Sequence, residues 1–529
     1  VNAQPVSTTL YRSGDAVYNE YTGGVVGYQA SGSIKSCTNR GSMISSSNQQ
    51  YLYMGGIAGD FAEGEAENNV NVAKLDLQGD ATSAVKGVRY ASVGGLYGRF
   101  GAVQSDSDKN SSNSGPITVL NVETAADNST TLNLGGVAGY IDSESPLSSL
   151  TNTGAITADL VANFTAFAIG GISGSTECGI SDSKNSGTLM INNGILLKNT
   201  SSRICFGGIA GRNVAGDLNT YSGCVNDGEV GISTKSNDFN ILPAFTGGIL
   251  GYTEMPVAVK GCENNGYVNS SGANNKYDGL FSAAGGIVGA IVETVAEVAD
   301  CIVSVDIRNY AYNRNIDMDP FKMCHCGGIV GCAVGESQSN IVKISNCSNS
   351  GALENKRSTA AGIVGFAKYA AVSDCRFTGS VVGSGPHFAA GIAGCLSDAS
   401  VTDCIVKSPD IYSHSSLGFN SINHFPAAGI VGYLYGKSSV SRCKAFATLI
   451  QNVGSTANEQ MHVGMGLIAG ISTAGSTISD CGVGGTLNTG SAGKVQNVIM
   501  TVTSDNFGNC IVGDGNVTPS GCYYWNGQE

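Results

Sequence analysis

Gly327-Gly-Ile-Val-Gly331 decides how this chain is read, because the same five positions recur from one end of it to the other. Copies begin at Gly23, Gly55, Gly94, Gly135, Gly170, Gly207, Gly247, Gly285, Gly327, Ala361, Ala390, Ala428, Gly466 and Asn509. The third position is aliphatic in every copy, from Val25 and Ile57 to Ile511, and the fifth is always glycine, from Gly27 to Gly513. Successive copies start between 29 residues (Ala361 to Ala390) and 43 residues (Gly466 to Asn509) apart. Self-similarity at a period in this range marks a repeat architecture and has to be recognised before any motif is read.

A second element follows each copy, clearest in Val259-Lys-Gly-Cys262-Glu-Asn264-Asn-Gly266. Its cysteine slot is filled by Cys37, Cys224, Cys262, Cys301, Cys347, Cys375, Cys404, Cys443, Cys481 and Cys522, with Ala66, Ser111, Leu150 and Ser183 elsewhere. The next-but-one slot holds Asn39, Asn68, Asn113, Asn152, Asn185, Asn226, Asn264 and Asn349, then turns apolar at Phe377, Val406, Ala445 and Val483. Short β-branched runs broken by Gly, Asn and Ser are strand and turn signals, and no long stretch keeps a 3.6-residue apolar period. One such coil cannot bury its apolar face alone, whereas stacked coils bury a continuous core with like residues above like. The expected fold is therefore all-β: a single-stranded parallel β-helix of about fourteen coils, right-handed by default. The aliphatic and cysteine slots are expected to form inward ladders. The Asn slot is expected to form a turn ladder, since Asn tolerates left-handed backbone.

The run Ile344-Ser-Asn-Cys347-Ser-Asn349-Ser-Gly351-Ala-Leu353, following Gly327-Gly-Ile-Val-Gly331, resembles the GLUG repeat. The resemblance spans roughly residues 23–525. It implies a secreted or surface-anchored bacterial protein, adhesin-like or akin to the non-catalytic part of some immunoglobulin-A peptidases. It carries no shared catalytic residue to transfer. The setting it implies is the outer cell surface or the medium, with a lipid anchor or a fused segment upstream of Val1 as options. Residues 1–22 are expected to form a cap or partial coil and residues 23–526 the β-helix. Aromatic residues at 522–526, including Trp525, would close it.

Composition narrows the partners. The formal charge is −13 with acids scattered through the chain, which disfavours nucleic acid and anionic membranes. No apolar run is long enough to span a bilayer. Seventeen cysteines would suggest a disulfide framework, but ten occupy one repeat slot that also accepts Ala, Ser and Leu. That slot selects small buried side chains, so unpaired thiols are expected.

Candidate sites are sparse. Cys324-His325-Cys326 is too tight for paired zinc ligands, and strand alternation turns His325 away from both cysteines. Asp317 and Asp319, with Asn315, could offer oxygens to calcium, although the calcium loop with glycine at position six and glutamate at position twelve is absent. His387, His414 and His424 lie in spacers of neighbouring coils and are candidates for ligand contacts. Glycan cleavage would need acids or bases stacked at one slot over adjacent coils, and the aligned slots show none. The column Tyr28, Asp60, Arg99, Tyr140, Arg212, Tyr252, Phe366, Cys395 and Tyr433 reads as a stacking ladder. The expected function is a non-enzymatic adhesin or scaffold, monomeric, without a resident cofactor unless calcium is one. Its loops would meet a host or bacterial surface protein or glycan. The alternative is a β-helix that binds or cleaves polysaccharide.

Overall fold

The computed structural model describes the chain apart from residues 11–18, 48–49, 80–87, 102–108, 124–130, 163–164, 197–202, 215–216, 233–243, 271–272, 275–280, 311, 314–322, 357–358, 385–387, 416–425, 454–463, 491–497 and 529. Two compact units divide it. The first comprises Val1–Ala258 and Cys262–Leu280, the second Val259–Gly261 and Phe281–Glu529. Each is a stack of parallel β-coils.

One coil of the first unit shows the pattern. Thr131–Gly135 leads into the five-residue corner, and Ala138–Ile141 leaves it. Leu147–Ser148, Thr151–Asn152 and Ile156–Ala162 complete the turn of the coil. The next coil pairs with it in register, Gly135 against Gly170, Tyr140 against Ser175 and Asn152 against Asn185. The second unit repeats the design, as in Thr359–Ala361, Val364–Lys368, Ala370–Ser373, Arg376–Phe377 and Val381–Ser384. The hairpin of Gly482–Gly490 with Val498–Thr501 is antiparallel and departs from this pattern.

The aliphatic third position faces inward, and Ile57, Leu96, Ile172, Ile209 and Ile363 are fully buried. Val25 is the exception at 46% exposure, where the first coil has a neighbour on one side only. Burying each such side chain contributes roughly 1.5–3 kcal/mol, so the ladder is a main source of cohesion. The glycines of the motif answer to close approach, as the second and fifth positions show. A Cβ on Gly136, at the second position, would lie 2.3 Å from Cγ of Asn152. On Gly139, at the fifth, it would lie 2.6 Å from the backbone nitrogen of Val93. The second glycine therefore admits the Asn ladder, and the fifth lets two arms of the coil meet at a pinched corner.

The Asn slot is not a turn. Asn39, Asn71, Asn113, Asn152, Asn185, Asn226 and Asn264 sit in short strands, buried, each amide nitrogen donating to the next Oδ1 at 2.8–2.9 Å. Left-handed backbone falls instead on the residue before the cysteine slot: Ser36, Asn68, Asn110, Ser149 and Asp182, then Asp300, Asn346, Asp374, Asp403, Arg442 and Asp480. A strand position suits a buried amide because it leaves both ends of the side chain free for neighbours above and below. The expected Ala66 and Asn68 assignments also shift. Ala66 pairs with Ile34, Asn69 takes the cysteine slot, and Asn71 joins the ladder. Asn69 is tolerated there because it is bonded on several sides. Its Oδ1 accepts from the Cys37 nitrogen at 3.0 Å, and its amide donates to the Ile34 carbonyl and the Tyr97 hydroxyl at 2.8 Å.

In the second unit the cysteine ladder runs through consecutive coils from Cys301 to Cys522, and no disulfide joins any cysteine of the chain. Each thiol donates to the carbonyl two residues earlier, for example Cys347 to Ser345 at 3.2 Å and Cys443 to Ser441 at 3.3 Å. Hydrogen bonding within the column raises Cys347 and Cys404 and lowers Cys375 and Cys443, while burial raises all four. Cys481 is pushed up to about 12 by its bond with Cys443 and by burial. Burial keeps reagent away from these sulfurs, so the buried column should be inert to alkylation whatever its ionisation. Iodoacetamide is expected to modify Cys37 and Cys522, which are partly exposed, and to reach the fifteen buried thiols only on unfolding. Peptide mapping that found Cys375 or Cys443 labelled as fast as Cys37 in native protein would contradict this.

At the ends, Val6–Leu10 pairs with Met43–Ser47 and Asn19–Gly23 with Tyr51–Gly55, in the manner of coil arms. Tyr523–Tyr524 pairs with the strand bearing Gly482 and Val483. Trp525 is buried against Gly484 and meets the Phe446 ring edge-on at 6.4 Å.

Candidate ligand-binding groove

The pinched corner leaves an outward concavity along the first unit. Its floor has no side chains, because the fifth position of each copy is glycine. One wall comes from the arm before the corner. Two outward columns stand there: Asn19, Tyr51, Tyr90, Thr131, Ala166 and Arg203, and beside them Tyr21, Tyr53, Ser92, Asn133, Ala168 and Cys205. The facing wall is the column Tyr28, Asp60, Arg99, Tyr140, Ser175, Arg212 and Tyr252. Asp142, Glu177 and Glu254 lie two residues further along the same arms. Its best-formed section, about 390 Å³, lies between Tyr53, Tyr90 and Asn133 on one side and Arg99, Tyr140, Glu177 and Arg212 on the other.

Aromatic rings dominate one end. Tyr21 stacks on Tyr53 with centroids 5.4 Å apart and planes 15° from parallel, and Tyr53 meets Tyr90 at 5.5 Å. Tyr28 closes over Tyr21 at 5.2 Å, and Tyr140 stands edge-on to Tyr90 at 6.4 Å. Parallel pairing stacks Tyr21 on Tyr53, because identical slots in adjacent coils sit one strand spacing apart, and Tyr90 reaches Tyr53 from the neighbouring column. Asn133 donates to the Tyr90 hydroxyl at 3.2 Å and accepts from Ser175 at 2.8 Å.

Charge is concentrated on the facing wall and is mostly paired. Arg99 bonds Asp142 and lies 3.6 Å from Asp60. Glu177 accepts from the Tyr140 hydroxyl. Glu254 accepts from both Arg203 and Tyr252, and the Arg203 guanidinium covers the Tyr252 ring at 4.8 Å. Burial works to raise Glu254, but bonds from Tyr252 and Arg203 and the charge of Arg212 outweigh it and hold the carboxyl below its usual range. Asp60 behaves oppositely. Burial raises it despite Arg99, and its Oδ1 is buried without a hydrogen-bond partner. Burial and the neighbouring Asp60 charge raise the Tyr53 phenol as well.

The second unit fills the same corner with apolar contacts. His325 stacks on Phe366 at 5.0 Å and bonds Thr359 through Nδ1 at 2.7 Å, while Phe388 stacks on Tyr433 at 5.3 Å. His325 faces this outer corner and Cys326 the interior, both buried. Among the described residues no group of three or more His, Cys, Asp or Glu could hold a metal ion.

Of the residues singled out in the sequence, Asp317, Asp319, His387 and His424 lie outside the described residues. His414 lies on the strand Ile405–Ser415, and its side chain is likewise outside them. The column from Tyr28 to Tyr252 is where the sequence frame placed it. Stacked charge exists in two places, one within the column read from the sequence as a stacking ladder and one outside the aligned slots. Asp60 neighbours Arg99 across adjacent strands, and Asp374, Asp403, Arg442 and Asp480 follow one another at the left-handed corner. That corner sits one residue before the cysteine, outside the slots compared. The tyrosine wall was missed for a similar reason. Its residues stand two and four positions before the first glycine, and reading those offsets copy by copy would have found Tyr21, Tyr53 and Tyr90. Compared with known proteins, the chain matches no family model, no curated protein and no solved structure.

Proposed function

We propose that the chain is a non-enzymatic, surface-exposed or secreted β-helix that binds a glycan along the groove of its first unit. The observation that carries this is the tyrosine series Tyr21, Tyr53 and Tyr90 facing a wall of arginines, carboxylates and hydroxyls. Flat rings offer apolar platforms to sugar faces, and the opposite wall offers donors and acceptors to hydroxyls. The resemblance to GLUG-repeat surface proteins supports the extracellular setting. Among the described residues no helix is long and apolar enough to cross a membrane.

The state of the carboxylates supports binding over cleavage. A general acid must hold a proton near neutral pH, and its partner must be free to act. Here Asp142 is tied to Arg99, Glu177 to Tyr140, and Glu254 to Arg203 and Tyr252. Asp60, whose carboxyl is raised above its ordinary range by burial, is 3% exposed.

Affinity electrophoresis through gels containing host and dietary polysaccharides tests the reading. At least one polymer is expected to retard the protein, and Tyr53→Ala or Tyr90→Ala to weaken that retardation roughly tenfold, in line with a lost aromatic contact. Melting should change far less, because both rings line the outer surface. Full mobility in every gel would sink the proposal. Release of sugar from the retarding polymer would replace it with the enzymatic alternative.

A further inference from the structure

We infer that the groove takes a glycan bearing one monoanionic substituent, a carboxylate or a sulfate ester, held by Arg212. The inference rests on the glycan reading above and adds to it the class of sugar. It follows from an inventory of the groove's arginines. Arg99 is bonded to Asp142 and flanked by Asp60, and Arg203 is bonded to Glu254 and Tyr252. Arg212 differs. Its nearest acidic oxygen is Glu254 Oε2 at 4.0 Å, beyond hydrogen-bond reach, and its Nε is buried with no partner. Glu254 is already satisfied by two other donors. A guanidinium presents five N–H groups in a planar fork suited to a carboxylate or sulfate edge, and here that fork is left open. Its side chain is 32% exposed, and it lines the same section of the groove as Tyr90 and Asn133, on the opposite wall and further along the stack, where the Gly211 corner meets the strand bearing Ala168. A glycan stacked on the tyrosines and continuing along the groove would carry a substituent past it.

Charge limits what the substituent can be. Asp142, Glu177 and Glu254 surround the site, so a doubly charged phosphate would meet more repulsion than one arginine can offset. The chain as a whole carries −13, which repels a polyanion at long range. A single acidic group on an otherwise neutral glycan fits both constraints.

Ligand-observed NMR titration of the full chain with methyl glucuronide, glucose 6-sulfate and methyl glucoside tests the inference. One or both acidic probes should bind roughly tenfold more tightly than the glucoside, as expected for a charge-assisted hydrogen bond. Which of them does so identifies carboxylate or sulfate as the source. Arg212→Gln should bring the acidic probes to the affinity that the glucoside shows on the same variant. Arg212→Lys should keep part of the preference, since it retains the charge and loses the fork. A melting curve on each variant separates lost binding from lost folding. If the three probes bind equally, the anionic subsite falls and the glycan reading stands. An acid preference that survives in Arg212→Gln places the anion elsewhere and also overturns the inference. Binding of none of them removes both readings.

Discussion

Gly136→Val is expected to be strongly damaging to the first unit, lowering its stability by about 3 kcal/mol or more. A Cβ at this position would lie 2.0 Å from the Gly171 carbonyl oxygen and 2.3 Å from Asn152 Cγ. Neither obstacle can move cheaply. The carbonyl belongs to the next coil's corner, and Asn152 is bonded above, below and within its own turn. A valine would have to push the ladder out of line, and the damage would pass to neighbouring coils, since each coil relies on the next for its hydrogen bonds. Gly508→Ala serves as the control, because a Cβ there meets nothing within 4 Å. Thermal unfolding followed by circular dichroism should show a large loss for the first substitution and almost none for the second. Equal melting of the two would mean that the corner glycine is not packed as described.

Asn152→Asp should produce the second large effect, and one that depends on pH. In the wild type the Asn152 side chain accepts from Asn113 at 2.9 Å and from the Gly154 nitrogen at 3.2 Å. It donates to Asn185 at 2.8 Å and to the Gly154 carbonyl at 2.9 Å. A carboxylate keeps the two accepting bonds and loses both donors, and it turns a buried negative oxygen towards two other oxygens. Only the protonated acid can restore one donated bond. The folded pKa of the substituted group must therefore lie above its unfolded value of about 3.9. A raised folded pKa gives stability that is fully present below the unfolded value and is lost as pH rises through the folded one. The variant should melt close to the wild type near pH 3 and fall behind it by about 3 kcal/mol or more at pH 7, the scale of a buried unpaired charge. Asn152→Ala should lose about 2–4 kcal/mol at both pH values, since it leaves polar groups unpaired without adding charge. An Asn152→Asp deficit that does not change between the two pH values would show that the side chain reaches water.

These two positions also show how much of the molecule was legible in the sequence. The period, the invariant aliphatic and the invariant glycine were enough to identify stacked parallel coils, because a solenoid writes each structural requirement many times over. Repetition turns a weak single-residue preference into a column. The inward direction of the aliphatic slot, the unpaired thiols and the apolar turn of the second unit's ladder were readable for the same reason. Where a slot lost its marker residue, as at Ala66, the frame slipped by three residues, and only the pairing of Ala66 with Ile34 restored it. The buried Asn ladder was seen as a column but misjudged as a turn. Sequence spacing does not distinguish a left-handed corner from the strand two residues beyond it.

The groove was less legible, and the reason is geometric. Its two walls belong to arms on either side of the corner, so Tyr53 and Arg99, or Tyr90 and Tyr140, are brought together by the fold and not by spacing along the chain. Sequence alone determined that coils stack, which slots run along the stack, and that charge is sparse. The tertiary structure decided which columns face each other across the glycine floor. It also decided that the first unit keeps that corner open and polar while the second fills it with stacked rings. The difference is physical: a column is a one-dimensional property that repetition records, whereas a binding surface depends on the angle between columns, which is set by backbones meeting where side chains are missing.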